Sequence, residues 1–128
     1  MKRYVSTSFW DDDWVQSLNF TEKGLYLYLL TNPLTNIAGV YKLSNRRIVF
    51  DTGLEEASIE KMMKRFEEAG KAYRHGEFII LPSYPLHQRN ANIRKGIRSI
   101  LLELEPDVIS FLSEVGCRYP LDEFLRGT

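Results

Sequence analysis

Apolar side chains recur at helical spacing in several stretches of the chain. The clearest stretch is 55–69, where spacings of three and four place four apolar residues on one helix face: Ile59, Met62, Met63 and Phe66. Gly70 follows directly and favours a helix end at that point. We therefore predict an amphipathic helix over 55–69 whose apolar face lies in a core.

The N-terminal third of the chain predicts two consecutive helices. Ser8 can cap the first one, in which Trp10 and Trp14 lie one turn apart. The second begins at Thr21 and stays apolar on nearly all sides, until Pro33 ends it at the preceding residue. A helix that is apolar all round belongs at the centre of a fold.

A strand and a third helix follow these two helices. Val40–Lys42 predicts a short strand. Ser44 can cap a helix over 45–52, and Gly53 suits the position just after its end. The connection to the helix over 55–69 is then a short turn, as in a helix-turn-helix.

A hairpin completes the pattern. Two short runs at 72–74 and 78–81 flank His75 and Gly76, which is typical of a β-hairpin with a tight turn. The order of elements is that of a winged helix-turn-helix, in which 55–69 is the recognition helix and the hairpin is the wing. We predict a mainly α fold with a small β-hairpin wing.

The C-terminal part of the chain predicts helices again. Five apolar residues on one face indicate an amphipathic helix: Ile93, Ile97, Ile100, Leu101 and Leu104. Pro106 can start a further helix to about Val115, and the sequence allows a last short helix at 121–125. We predict two regions, a winged-helix domain over 1–86 and a helical extension over 87–128 that packs on the same core.

Composition limits the function classes. The 128 residues carry 17 basic and 17 acidic side chains, and this zero net charge excludes a histone-like basic protein. Any affinity for nucleic acid must then come from a local patch. The single cysteine, Cys117, suits a reducing compartment. Because neither a signal-peptide core nor a membrane-spanning stretch is present, we expect a cytoplasmic protein without membrane contact.

Several motifs resemble the N-terminal domain of phage replisome organisers, which are relatives of the DnaD-like primosome proteins. The motifs are Phe9-Trp10-Asp11, residues 26–33, Gly39-Val40-Tyr41, Thr52-Gly53, Lys64-Arg65-Phe66-Glu67 and Gly70-Lys71. The resemblance implies a winged-helix domain that self-associates, binds DNA and helps to recruit the replicative helicase or its loader. It offers no catalytic motif. The implied homo-oligomer interface lies in the N-terminal segment, with Phe9, Trp10 and Trp14 as candidates, although core packing is the better explanation for most of the aromatic residues there.

The helix over 55–69 carries the main DNA-binding candidates. With its apolar face turned inward, three cations point outward near Ser58: Lys61, Lys64 and Arg65. The alternative is an ordinary solvated helix face with pairs such as Glu60–Lys64, four residues apart. The winged-helix context favours contact with DNA phosphates.

Other cations extend this candidate surface. Arg46 and Arg47 open the helix that crosses the phosphate backbone in this motif, or they pair with Asp51 or Glu55. The wing adds Lys71 and Arg74. The acid-free stretch 89–98 adds Arg94 and Arg98, which either follow DNA beyond the wing or receive the acidic segment 103–123 of the same chain or of a partner.

Metal, cofactor and enzyme sites are not indicated. Three successive aspartates at 11–13 fan out around a helix and cannot converge on one ion, so they suit the helix N-terminus. His75 and His87 have no partners at metal-ligand spacing, and no catalytic motif is present. We expect no cofactor and a non-enzymatic protein. A winged-helix protein–protein assembly module that does not contact DNA and a transcriptional regulator remain the alternatives to a role in replication.

Overall fold

The computed structural model describes residues 4–87, 91–115 and 119–125. In these ranges the order of elements is helices α1 (Asp13–Gln16) and α2 (Phe20–Thr31), strand β1 (Val40–Lys42), helices α3 (Asn45–Thr52) and α4 (Glu56–Glu68), strands β2 (Tyr73–His75) and β3 (Phe78–Ile80), and helices α5 (Ala91–Leu102), α6 (Pro106–Glu114) and α7 (Leu121–Leu125). The chain is mainly helical with one small antiparallel sheet. Both the predicted fold class and the winged helix-turn-helix order are confirmed.

The first predicted helix is broken in two. A 3-10 turn spans Thr7–Asp11, and the side chain of Ser6, rather than that of Ser8, caps it. Asp12 is extended and caps the short helix α1, because its carboxylate accepts a 3.0 Å hydrogen bond from the Val15 amide. The expectation of one continuous helix capped by Ser8 was therefore wrong.

Local capping defines the ends of the central helices. The Asn19 side chain and Glu22 form a reciprocal capping box, so α2 begins one residue earlier than predicted. Ser44 caps α3, and Gly53 ends it in the left-handed conformation with φ 74°. These two α3 boundaries confirm the sequence-based prediction.

The sheet has the strand order β1-β3-β2 and is antiparallel throughout. Val40 pairs with Ile80 across β1 and β3, and Arg74 pairs with Ile79 across β2 and β3. His75 lies in β2, so the turn consists of Gly76 and the following glutamate, one residue later than predicted. Gly76 has φ 57°, a conformation that suits glycine in a tight hairpin.

Two hydrophobic clusters cover opposite faces of this sheet. Ile79 belongs to the cluster with α2, α3 and α4, which contains Leu29, Ile48 and Phe66, whereas its neighbour Ile80 belongs to the cluster with α5, α6 and α7. Successive strand residues point to opposite faces, which explains the division. The extension therefore packs on the face of the sheet opposite to the helix-turn-helix.

Side chains close both edges of the sheet. Asn36 bonds the outer edge of β1, donating to the Val40 carbonyl at 2.8 Å and accepting from the Val40 amide at 3.4 Å. On the outer edge of β2, Glu67 accepts a 3.0 Å hydrogen bond from the Arg74 amide. These backbone groups are satisfied within the chain and do not offer a pairing edge to another strand.

Candidate nucleic-acid interface

Helix α4 presents two unpaired cations on its outer face. Ile59, Met62, Met63 and Phe66 are buried, as the periodicity predicts. Lys61 and Lys64 lie opposite them and are exposed. Within the described ranges neither lysine forms an ion pair, and the alternative Glu60–Lys64 pair is not formed. Their ammonium groups are therefore available to an external anion.

Arg65 has a different role in the structure. Its Nη1 lies 3.1 Å from Glu22 Oε2, and its Nη2 donates to the Ser17 carbonyl at 3.2 Å. Glu22 is buried, and its carboxylate also accepts the hydrogen bond that completes the α2 capping box. Arg65 thus ties α4 to the start of α2, while about half of its side chain, 47%, stays exposed.

A groove runs between α4 and the beginning of α2. Ser58, Lys61 and Lys64 line one wall, and Asn19 and Thr21 line the other. The groove combines hydroxyl and amide groups with two ammonium groups, the Arg65 guanidinium and the carboxylates of Glu22 and Glu68. Its hydroxyl, amide and ammonium groups can contact phosphate oxygens without reading a base. Ser58 is exposed at its edge, as the sequence analysis expected.

The two arginines of α3 differ in their contacts. Arg47 Nε lies 2.8 Å from Asp51 Oδ2, and the Tyr28 hydroxyl donates to the same carboxylate oxygen at 2.5 Å. The hydrogen bond from Tyr28, followed by that from Arg47, lowers the pKa of Asp51. Burial and the hydrogen bond to Asp51 raise the pKa of Tyr28. Arg46 is exposed, and no partner for it is found among the described residues.

Arg74 points into the fold. Its Nη1 donates to the carbonyls of Leu43 and Glu77, and its Nη2 donates to Asn45 Oδ1 at 2.6 Å. Burial lowers the pKa of this guanidinium. Arg74 fastens the hairpin to the start of α3, because its planar donors fit three acceptors at once. The structure does not place it as the exposed phosphate contact that the sequence suggested.

The extension covers one side of the wing. His75 stacks on Phe111 of α6 with ring centroids 4.5 Å apart, and His75 Nε2 lies 3.2 Å from Asp107 Oδ2. Tyr73 meets the same phenylalanine edge-on at 6.0 Å. Lys71, at the base of the wing, lies 5.4 Å from the Trp14 ring. The wing therefore has little free surface beyond its turn.

Among the basic side chains of α5, Arg94 contacts other residues of the extension. Arg94 Nη2 donates to the Glu123 carbonyl at 2.9 Å, and its guanidinium lies 5.5 Å from the Phe124 ring. Of the two alternatives for this helix, contact with the acidic segment of the same chain is the one formed at Arg94. Arg98 is half-buried.

The N-terminal aromatic residues mostly pack within the chain. Phe9 is buried and stacks on Tyr26, and Trp14 lies edge-on to both Tyr26 and Phe66. Phe9 and Trp14 thus have packing partners within the chain, and their sequence-based assignment to an oligomer interface stays a prediction. Trp10 remains 50% exposed and keeps that assignment as a prediction.

One exposed aromatic side chain was missed by the sequence analysis. Phe50 of α3 is 84% exposed. It lies four residues after Arg46, so the two side chains share a helix face. A helical projection of 45–52, with Ile48 facing inward, could have identified this pair.

Other site classes find no support in the described parts of the chain. Within 4–87, 91–115 and 119–125, no cluster of His, Cys, Asp and Glu could hold a metal ion. Cys117 and the His87 side chain lie outside the described parts. No described helix combines the length and the apolar character needed to cross a bilayer. Comparison with protein-family models, curated proteins and solved structures found no match.

Proposed function

We propose that this chain binds duplex DNA through the outer face of α4 and acts in replication initiation, as a phage-type replisome organiser or primosome component. The observation that carries the proposal is the pair of exposed lysines, Lys61 and Lys64, on the second helix of a helix-turn-helix, for which the described residues provide no ion-pair partner. This helix is the one that approaches DNA in such folds. The mechanism is non-enzymatic and rests on neutralising phosphates.

The contacts around α4 support separate roles for its basic residues, phosphate contact for some and positioning of the helix for Arg65. Lys61 and Lys64 supply charge to the phosphate backbone, and Arg46 at the start of α3 adds a third cation. Arg65 positions α4 through its ion pair with Glu22. The wing is covered by α6 on one side, so it adds little to DNA binding in this proposal.

The role in replication, as opposed to transcription, rests on the resemblance of the motifs to replisome organisers. The same resemblance supports a homo-oligomer, a helicase or helicase loader as a further partner, and a cytoplasmic location. These features belong to the proposal together with DNA binding.

Salt dependence of binding tests the proposal. Three phosphate contacts, by Lys61, Lys64 and Arg46, give a slope of log affinity against log salt of about −2.7 for duplex DNA. Affinity should then fall roughly 40-fold between about 50 and 200 mM salt. Replacing Lys61 and Lys64 with alanine should flatten the slope by about 1.8. Fluorescence anisotropy with a labelled duplex gives both values.

A charge-matched control comes from α5. Lys95→Ala combined with Arg98→Ala removes the same charge from the extension, on the far side of the sheet from α4. This control should leave the slope unchanged within about 0.5. No duplex binding at about 50 mM salt, or equal slopes for both double variants, would contradict the proposal.

A protein–protein assembly module is the second candidate function. Trp10 is half-exposed, and other residues of the same N-terminal segment, Tyr4, Phe9 and Trp14, line a cleft of about 400 Å³. We expect the wild type to sediment above its monomer mass of 15.0 kDa and Trp10→Asp to shift it to the monomer. A wild type that stays monomeric at high micromolar concentration would rule out assembly through this segment.

A further inference from the structure

The outer face of α3 carries an exposed aromatic ring on a well-defined helix. Phe50 is 84% exposed, while Ile48 on the same helix is fully buried in the core. Ser44 caps the start of α3, and Gly53 closes its end. The backbone under Phe50 is therefore fixed at both ends, so binding has to order only the side-chain torsions of the ring.

Positive charge lies on the same face, one turn towards the helix start. Arg46 is exposed, and among the described residues it contacts no acid. The helix N-terminus adds partial positive charge at this end. The nearest acid on α3, Asp51, already accepts from Arg47 and Tyr28. Glu55 lies beyond the other end of the helix, so the exposed positive charge of this face lies at the start of α3.

An exposed ring beside a cation matches the chemistry of an unpaired nucleotide. Every base has a face that stacks on an aromatic side chain, and the adjoining phosphate needs a positive partner. In duplex DNA the base faces are already stacked on one another, so only a single strand can use both groups. We propose that the Phe50–Arg46 face binds single-stranded nucleic acid, with a base on Phe50 and its phosphate at Arg46.

A second copy of the chain fits this face less well. A stable interface needs roughly 800 Å² from each partner with an apolar centre. In the described structure the other strongly exposed apolar residues lie on other elements, such as Phe20 on α2 and Leu102 on α5. Around Phe50 on α3, Arg46 and Asp51 are exposed and charged. One ring in a charged setting suits a base better than a protein core.

This inference rests on the proposed function, because it names the strand state that a DNA-binding chain takes at Phe50, next to Arg46, which also contacts the duplex in that proposal. The test measures anisotropy with labelled oligothymidylate and, separately, with a labelled duplex, using the full chain. Phe50→Ala should weaken single-strand binding about 5-fold or more and leave duplex binding unchanged. Arg46→Ala should flatten the single-strand salt slope by about 0.7.

Two further variants separate stacking from general hydrophobicity. Phe50→Trp keeps a flat ring and should bind the single strand within about 2-fold of the wild type, whereas Phe50→Leu should weaken it as much as alanine does. Leu102→Ala, which removes an exposed apolar side chain from α5, is the control and should change neither affinity. Circular dichroism and urea unfolding verify that each variant is folded.

The outcomes distinguish this inference from the proposed function. Loss of duplex binding in the Lys61/Lys64 variant, with single-strand binding still dependent on Phe50, supports both. A wild type that binds oligothymidylate through Phe50 but no duplex refutes only the proposed function. The inference is overturned by a wild type without single-strand binding, by equal affinities of wild type and Phe50→Ala, or by a Phe50→Ala variant that changes only the sedimenting mass.

Discussion

Replacing Arg74 with alanine separates its structural role from a role in DNA binding. The guanidinium donates to three acceptors, the carbonyls of Leu43 and Glu77 and the side chain of Asn45. Each hydrogen bond to a charged group contributes about 1.5–3 kcal/mol, but the partly exposed acceptors regain water after truncation. We therefore expect Arg74→Ala to lower the free energy of unfolding by about 2–4 kcal/mol.

Urea unfolding followed by circular dichroism measures this loss. Arg46→Ala is the matched control, because Arg46 is exposed and lacks a partner in the described ranges, so its removal should cost less than about 0.5 kcal/mol. At a temperature where both variants stay folded, Arg74→Ala should keep the wild-type salt slope for duplex DNA. A stable Arg74→Ala variant whose slope is flattened by about 0.9 would refute the reasoning and identify Arg74 as a phosphate contact.

Two further predictions concern backbone conformation and pH. Gly39→Ala should cost about 2–4 kcal/mol in urea unfolding, because Gly39 has φ 70° and a Cβ would lie 2.8 Å from Tyr84 Cβ; Gly24→Ala, where a Cβ meets nothing within 4 Å, should instead stabilise α2 by about 0.5–1 kcal/mol. Equal effects of the two alanines would contradict this. Burial raises the pKa of Tyr26 to about 12 from 10.0. The contribution of the buried, neutral Tyr26 hydroxyl to the free energy of unfolding is therefore complete below pH 10. It is lost between pH 10 and pH 12, because in that range this tyrosine ionises in the unfolded chain but not yet in the folded protein. Tyr26→Phe keeps the ring, so urea unfolding at stepwise higher pH should show a shallower loss of stability than in the wild type; identical pH profiles would disprove the assignment.

The sequence predicts the helices of the helix-turn-helix because their buried apolar residues recur at helical spacing. Ile59 and Phe66 follow the helical repeat. Ser44 and Gly53 are residue types with strong local preferences for the start and the end of a helix, and they occupy those positions in α3. By contrast, three successive aspartates all suit a helix start. Asp12 is the one that caps α1, and the residues before it form a separate 3-10 turn with Phe9 buried.

Side-chain direction on exposed elements is the part that the sequence does not determine. A strand of three residues gives no indication of whether Arg74 reaches inward or outward, since that depends on acceptors brought from β1 and α3 by the tertiary fold. Likewise, the apolar face of α5 fits either side of a sheet. The adjacent apolar residues Ile79 and Ile80 were the one available indication that both faces of the sheet are covered.

The sheet between the two hydrophobic clusters also affects how the molecule opens. Neither the helix-turn-helix nor the extension can separate without exposing one face of β3, where Ile79 and Ile80 are both fully buried. The two regions should therefore melt in a single cooperative transition. Backbone amides of β3 should exchange with deuterium only through global unfolding, more slowly than those of the short helices α1 and α7. A substitution at Leu112 in the extension would accordingly lower the protection of α4 on the opposite side of the molecule.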